Sequence, residues 1–163
     1  EKVVRSATQK AKSARSLVSV DGMDDVLIHY AKCCHPIPGD PIVGFISRGR
    51  GVMIHRADCP RAFELDQMRK VDVQWTVKQA TDGQERIVRL KVLSQDIQGL
   101  LKAMTEAFAS QGINIQSAQA RTTKDKKAVC LFEIGVRDAT QLSQAILELQ
   151  KIKGVIGVSR VMN

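Results

Sequence analysis

The clearest alternation of apolar and polar positions lies in the second half of the chain. Val88, Leu90 and Val92 alternate with Arg89 and Lys91, the period of a half-buried strand. After a loop from Ser94 to Gly99, Leu100, Leu101, Met104, Ala107 and Phe108 fall on one helical stripe, and Gly112 stands where a left-handed cap is favoured. Residues 113–122 read as a second strand and 123–127 as a charged hairpin loop. Cys130, Phe132, Ile134 and Val136 mark alternate positions of a third strand. Leu142, Ile146, Leu149 and Ile152 give a second helix ended by Gly154, and residues 155–161 a last strand. The order βαββαβ predicts two helices on one face of a four-stranded antiparallel sheet, over residues 85–163.

Residues 23–80 predict a second, strand-rich module. A short apolar run, residues 26–31, precedes a loop punctuated by Pro36, Pro38, Gly39 and Pro41. Residues 42–46 and 51–55 then form a hairpin around Ser47-Arg48-Gly49-Arg50, where glycine supplies the positive φ of a tight turn. Asp58 is the expected N-cap of a short helix through Leu65 with Pro60 in its first turn, and Val71, Val73 and Trp75 alternate along one further strand. Residues 1–22 show no strong periodicity and read as a linker or the tail of an upstream helix. The start at Glu1 rather than Met suggests an excerpt of a longer protein.

Composition narrows the class. The chain has 163 residues, 44% of them hydrophobic, so two cores sharing that material are each modest and self-association is expected. No run approaches the roughly 20 apolar residues of a membrane span, and residues 1–19 lack the apolar segment of a signal peptide. Four cysteines (Cys33, Cys34, Cys59, Cys130) at uneven spacing do not make a secreted disulfide framework, so a cytoplasmic chain with reduced or metal-bound thiols is expected. The net charge of +8 is concentrated at the two ends of the sequence, although Lys32, Arg48, Arg50, Arg56 and Arg61 give the cysteine segment a local basic surface.

Two constellations carry candidate chemistry. The first is Asp96-Ile97-Gln98-Gly99-Leu100-Leu101 together with Gly112-Ile113-Asn114-Ile115. Gly99 lets backbone approach a ligand, the following helix offers N–H groups to a carboxylate, and Asn114 supplies both a donor and an acceptor. The pair resembles the ACT domain, a family of small ferredoxin-like amino-acid-sensing modules. That resemblance implies an amino-acid site at Asp96, Ile97, Gln98, Gly99, Leu100, Asn114 and Ile115, and a homodimer. The apolar Ile97, Leu100 and Ile115 suit a branched-chain ligand such as valine or isoleucine.

The second constellation is Ala31-Lys32-Cys33-Cys34-His35-Pro36-Ile37-Pro38-Gly39-Asp40, followed by Gly49-Arg50-Gly51 and His55-Arg56-Ala57-Asp58-Cys59. These strings, in this order and upstream of an ACT-like segment, resemble the C-terminal regulatory region of long RelA/SpoT-type (p)ppGpp synthetase/hydrolases. The resemblance implies a non-catalytic regulatory tail in an α+β arrangement, a cysteine-containing zinc-finger-like or ribosome–intersubunit module and then an ACT domain. It further implies a cytoplasmic location, contact with the ribosome and its RNA, and control of upstream catalytic domains that act as GTP pyrophosphokinase and (p)ppGpp hydrolase in the stringent response.

From the residues themselves, Cys33, Cys34, His55 and Cys59 offer a Cys₃His set of the kind Zn²⁺ favours. The adjacency of Cys33 and Cys34 speaks instead for a buried thiol pair, because usual fingers separate paired thiols by two or more residues. A redox switch at Cys33, Cys34 and Cys59 and a nucleophilic thiol are further readings. Lys32, His35, Arg48, Arg50 and Arg56 are the candidate RNA contacts, with phosphate and shape as the mode of recognition, since aromatic residues make up only 4% of the chain. Tyr30 and Trp75 are possible stacking residues, although Trp75, in an alternating strand, is expected in the core.

Overall fold

The computed structural model describes residues 18–21, 26–76 and 83–162. The N-terminal unit contains β1 (Val18–Val20), β2 (Ile28–Tyr30), β3 (Ile42–Ser47), β4 (Gly51–Arg56), the one-turn helix α1 (Pro60–Phe63), β5 (Lys70–Val71) and β6 (Val73–Trp75). A four-stranded sheet has the order β2-β4-β3-β5, with β2 parallel to β4 and the other pairs antiparallel. The hairpin joining β3 to β4 turns through Gly49 at φ +68° and Gly51 at φ +81°. Gly51 is also a close-approach glycine, because a Cβ there would lie 2.0 Å from the Leu27 carbonyl oxygen.

Three local expectations need correction. Val18–Val20, placed in the linker 1–22 by sequence, is a strand that pairs antiparallel with β6 and buries both valines. Three residues beside a polar stretch carry too little periodicity to be seen, and their partner is remote in sequence. Residues 1–17 of that linker lie outside the described residues. The single strand expected over 71–75 breaks at Asp72, with β5 pairing with β3 and β6 with β1. Asp58 does not cap α1. Cys59 is the N-cap residue and makes no side-chain cap bond, while the Asp58 carboxylate accepts from Arg56 Nη2 at 2.7 Å.

The C-terminal unit follows the predicted order. It comprises β7 (Arg86–Gln95), α2 (Leu100–Ser110), β8 (Asn114–Thr122), β9 (Lys127–Val136), α3 (Ala139–Lys151) and β10 (Val155–Arg160), with an antiparallel sheet ordered β10-β7-β9-β8. Its core joins Val88, Leu90 and Val92 of β7 and Phe132 and Ile134 of β9 to Met104 and Phe108 of α2 and Leu142 and Leu149 of α3. Asp138 caps α3 by accepting from Gln141 N–H at 2.8 Å.

One side chain in this core comes from the other unit. Ile37, in the Pro36-Ile37-Pro38 loop, is 0% exposed and belongs to the C-terminal cluster. Next to it the Ala139 N–H, at the start of α3, donates to the Pro38 carbonyl at 2.8 Å. The loop between β2 and β3 therefore serves both units.

Candidate metal centre and basic groove

The loop begins where β2 ends. Ala31 N–H donates to Ile54 C=O at 2.9 Å, which fixes it against β4, and His35 N–H then donates back to Ala31 C=O at 3.0 Å. Residues 32–34 are thereby wound into a turn, and successive side chains in a turn need not point to opposite sides as they do in a strand. Both thiols face inward. His55 enters from β4, and Cys59 follows a turn closed by its own N–H on Arg56 C=O at 3.1 Å.

The four ligand atoms converge. Cys33 Sγ lies 3.4 Å from His55 Nδ1 and 3.6 Å from Cys59 Sγ, and Cys34 Sγ lies 3.8 Å from His55 Nδ1. All four atoms are within 4.8 Å of one another, and all four residues are buried. A tetrahedral Zn²⁺ with Zn–S of about 2.3 Å and Zn–N of about 2.0–2.1 Å sets its ligand atoms roughly 3.5–3.8 Å apart. The separations from Cys33 Sγ to His55 and Cys59 and from Cys34 Sγ to His55 lie close to this spacing, and the donor set fits the ion in type and number. The objection from adjacency fails, because the turn at 32–34 supplies the convergence that intervening residues supply in other fingers.

The surroundings act differently on the four groups: they favour the ligand form at His55 and Cys59 and, with no ion bound, the protonated thiol at Cys33 and Cys34. Burial holds His55 below the ordinary imidazole range, so it is neutral near pH 7 and has a lone pair to give. Phe45 packs edge-on against its ring, centroids 6.0 Å apart. Burial pushes the Cys33 thiol up and the Cys34 thiol up to about 12. At Cys59 burial also acts upward, but N–H groups of Ala62 and Arg61 at the start of α1, with the Cys33 thiol, outweigh it and draw the group down. Arg56 N–H donates to Cys34 Sγ at 3.3 Å, as backbone amides do to metal-bound thiolates.

Cys33 and His55 also form part of the wall of an open groove of about 1050 Å³. Lys32, Arg50, Arg61 and His29 bring positive charge and donors to it, Glu64 is its acidic member, and Tyr30 contributes an aromatic face. Arg48 stands exposed in the β3–β4 turn. Two candidate RNA contacts face elsewhere. Arg56 is only 14% exposed and engages Asp58 and Asp40. His35, in a left-handed conformation at φ +43°, is half-buried against the C-terminal unit. His29 and Arg61 were not among the candidate RNA contacts, although Arg61 belongs to the basic surface expected from sequence and, two residues from Cys59, is held near the centre by chain connectivity.

Residues 18–76 match the family model described as the RelA/SpoT RIS domain, and residues 82–160 match an ACT domain model. The chain is a RIS–ACT region of the RelA/SpoT family. It is 43% identical over 150 residues to a GTP pyrophosphokinase of Myxococcus xanthus, covering 92% of this chain and 19% of that protein. It is 37% identical over 146 residues to the bifunctional (p)ppGpp synthase/hydrolase RelA of Mycobacterium tuberculosis, covering 88% of this chain and 19% of that protein. The chain therefore spans about a fifth of the length of these relatives. Among solved structures it is similar to the ACT domain from the GTP pyrophosphokinase of Chlorobium tepidum, at 22% identity and a TM-score of 0.43 over 47% of this chain and 99% of that one. The matches fall on regulatory parts, and the region is non-catalytic.

In the ACT domain, Asp96, Ile97, Gln98 and Gly99 form an exposed loop, with Gly99 at φ +82° and Leu100 turning inward. Asn114 and Ile115 do not share it. They open β8 and pair with Gly135 and Ile134, alongside Ile87 and Val88 at the start of β7, whereas Asp96 follows the end of that strand. The 11 residues of α2 separate the two stretches, about 16 Å along the helix axis. Within one chain they cannot close on one small ligand. Beside the loop, Ser94 is 0% exposed and its hydroxyl has no hydrogen-bond partner.

Proposed function

We propose that this region is the regulatory tail of a cytoplasmic, stringent-response GTP pyrophosphokinase/(p)ppGpp hydrolase, and that it docks on ribosomal RNA through the groove beside the cysteine centre. The observation that carries this reading is the juxtaposition of Lys32, Arg50, Arg61 and His29 around one open groove, with Arg48 at the neighbouring hairpin tip. The 32–34 turn, the glycine hairpin and the start of α1 hold Lys32, Arg50 and Arg61 at fixed spacing, which suits the phosphates of a folded RNA. Docking would report amino-acid starvation to the upstream catalytic domains. No helix among the described residues is long and apolar enough to cross a membrane. Zn²⁺ is the ion that fits Cys33, Cys34, His55 and Cys59, and its contribution when bound is structural, cross-linking the β2 turn, β4 and the start of α1.

Binding of the fragment to ribosomes across a salt series tests the docking. If Lys32, Arg48, Arg50 and Arg61 each neutralise one phosphate, log K against log salt has a slope of about −3.6 on a duplex, and Arg48→Glu with Arg50→Glu reduces its magnitude by about 2. Unchanged affinity and slope in that double variant would refute the groove.

A second reading has its own observation. The unpartnered, buried Ser94 hydroxyl beside the Asp96–Gly99 loop suits an amino-acid ligand, and the distance to Asn114 requires a second copy to complete the site. β8 is an edge strand exposed along most of its length, where two copies can pair. Calorimetry with valine, isoleucine and leucine, compared with Gly99→Trp, tests this. Heat lost in the variant supports a sensor, and silence with all three leaves the ACT domain to dimerisation and docking.

A further inference from the structure

The contact between the two domains is built around one arginine. Arg160, the last residue of β10, is 10% exposed at its side chain and donates from Nη1 to both oxygens of Asp40, at 3.0 and 2.8 Å. Its Nη2 donates to the His35 carbonyl. His35 follows Cys34 directly, and Asp40 lies near the end of the β2–β3 loop, so one guanidinium grips both ends of the segment that follows the thiols.

Asp40 in turn organises that segment. Its carboxylate accepts from Ile37 N–H at 2.9 Å, and its carbonyl accepts from Trp75 Nε1 at 2.8 Å. Arg56 Nε stands 3.9 Å from Asp40, while the Arg56 backbone N–H reaches Cys34 Sγ. Between the grips lie Pro36 and Pro38, which stiffen the loop, and Ile37, buried in the ACT core. Met162, two residues past Arg160, packs on the cluster that contains Cys33, Cys34 and Cys59. The last strand of the ACT domain therefore reaches the cysteine centre by two routes.

We propose that Arg160 is a positioning residue for the cysteine–histidine centre, acting through Asp40 and His35, so that metal occupancy in the RIS domain and docking of the ACT domain are linked. This deepens the metal reading above and rests on it. Linkage is reciprocal: whatever loosens the ACT contact weakens metal binding, and loss of metal loosens the ACT contact by the same factor. A guanidinium suits the task because it spans two acceptors in one plane, which a lysine cannot do.

The test is Zn²⁺ affinity of the full 163-residue chain, measured by competition with a chromophoric chelator, in wild type, Arg160→Ala, Arg160→Lys and Leu149→Ala. Leu149→Ala opens a cavity at the far end of α3 and controls for general loss of ACT stability. The expected result is one Zn²⁺ per wild-type chain, an affinity lower by about 10–100-fold in Arg160→Ala, a smaller loss in Arg160→Lys, and none in Leu149→Ala. Stripping zinc from the wild type should also shift the fluorescence of Trp75, the sole tryptophan, as its bond to Asp40 loosens. A wild-type chain that takes no zinc refutes the metal centre, and the linkage with it. Zinc bound equally tightly by wild type and a folded Arg160→Ala refutes the linkage alone. Equal losses in Arg160→Ala and Leu149→Ala also refute it, by reducing the effect to stability.

Discussion

Replacing Ile37 by alanine asks whether the RIS and ACT domains unfold as one unit. Ile37 belongs to the RIS loop by sequence yet is 0% exposed inside the ACT core, flanked by Pro36 and Pro38, which limit relaxation into the cavity. An Ile→Ala change at such a site costs about 2–5 kcal/mol. With a urea m-value of about 2 kcal/mol/M, the midpoint falls by about 1–2.5 M. Two probes separate the domains: Trp75 fluorescence reports the RIS domain, and far-UV circular dichroism is dominated by α2 and α3 of the ACT domain. Both transitions should move together by the same amount, while Leu147→Ala, on the exposed face of α3, moves neither by more than about 0.5 kcal/mol. A circular dichroism transition that stays put while Trp75 shifts would refute the shared core and leave Ile37 a surface contact.

Other substitutions probe single features. Gly51→Ala places a methyl group against the Leu27 carbonyl at a residue with φ +81°, so it should abolish the native Trp75 signal of the RIS domain; a folded, wild-type-like variant would disprove the close approach. The Cys130 thiol, buried in the ACT core and raised by burial above the ordinary 9.0, should resist alkylation until the domain unfolds, and rapid labelling in native buffer would contradict that. The sign for stability follows from the same burial. The folded state favours the protonated thiol, so this contribution is complete below pH 9 and is lost as pH rises through the folded value, a decline that Cys130→Ala should lessen in alkaline melts. Arg89 and Glu133 face each other across β7 and β9 at 2.8 Å but are exposed, so a double-mutant cycle should return no more than about 1 kcal/mol.

The ACT half was legible because its two periods, 2 and 3.6, run for whole elements and are punctuated by Gly99, Gly112 and Gly154, each at positive φ. The RIS half was legible in its hairpin and cysteine strings but not in its pairing, since β1 has three residues and its partner β6 lies beyond the rest of the domain. The convergence of the four candidate ligands was obscured by judging Cys33 and Cys34 by the thiol spacing of usual fingers, when a turn holds them. The inter-domain contact left one overlooked signal. Arg160 occupies the helix-facing register of β10 shared by Val158, and an arginine at a core-facing position demands a buried carboxylate. The partner, Asp40, is 120 residues away, beyond the reach of any local pattern.

The size of the RIS core explains why one loop carries both the cysteines and the ACT contact. Of the six buried residues in the cluster around the centre, three are cysteines, two are alanines and Phe45 alone is large. The domain's other cluster, built on Val18, Val20, Val52, Ile54 and Val73, is likewise small, and small modules with divided cores gain stability from a metal or a neighbour. This chain places two of the four candidate metal ligands and the ACT contact within eight residues, from Cys33 to Asp40. A ligand or partner that pulls on the ACT domain thus pulls on the segment that shapes the cysteine centre and its basic groove.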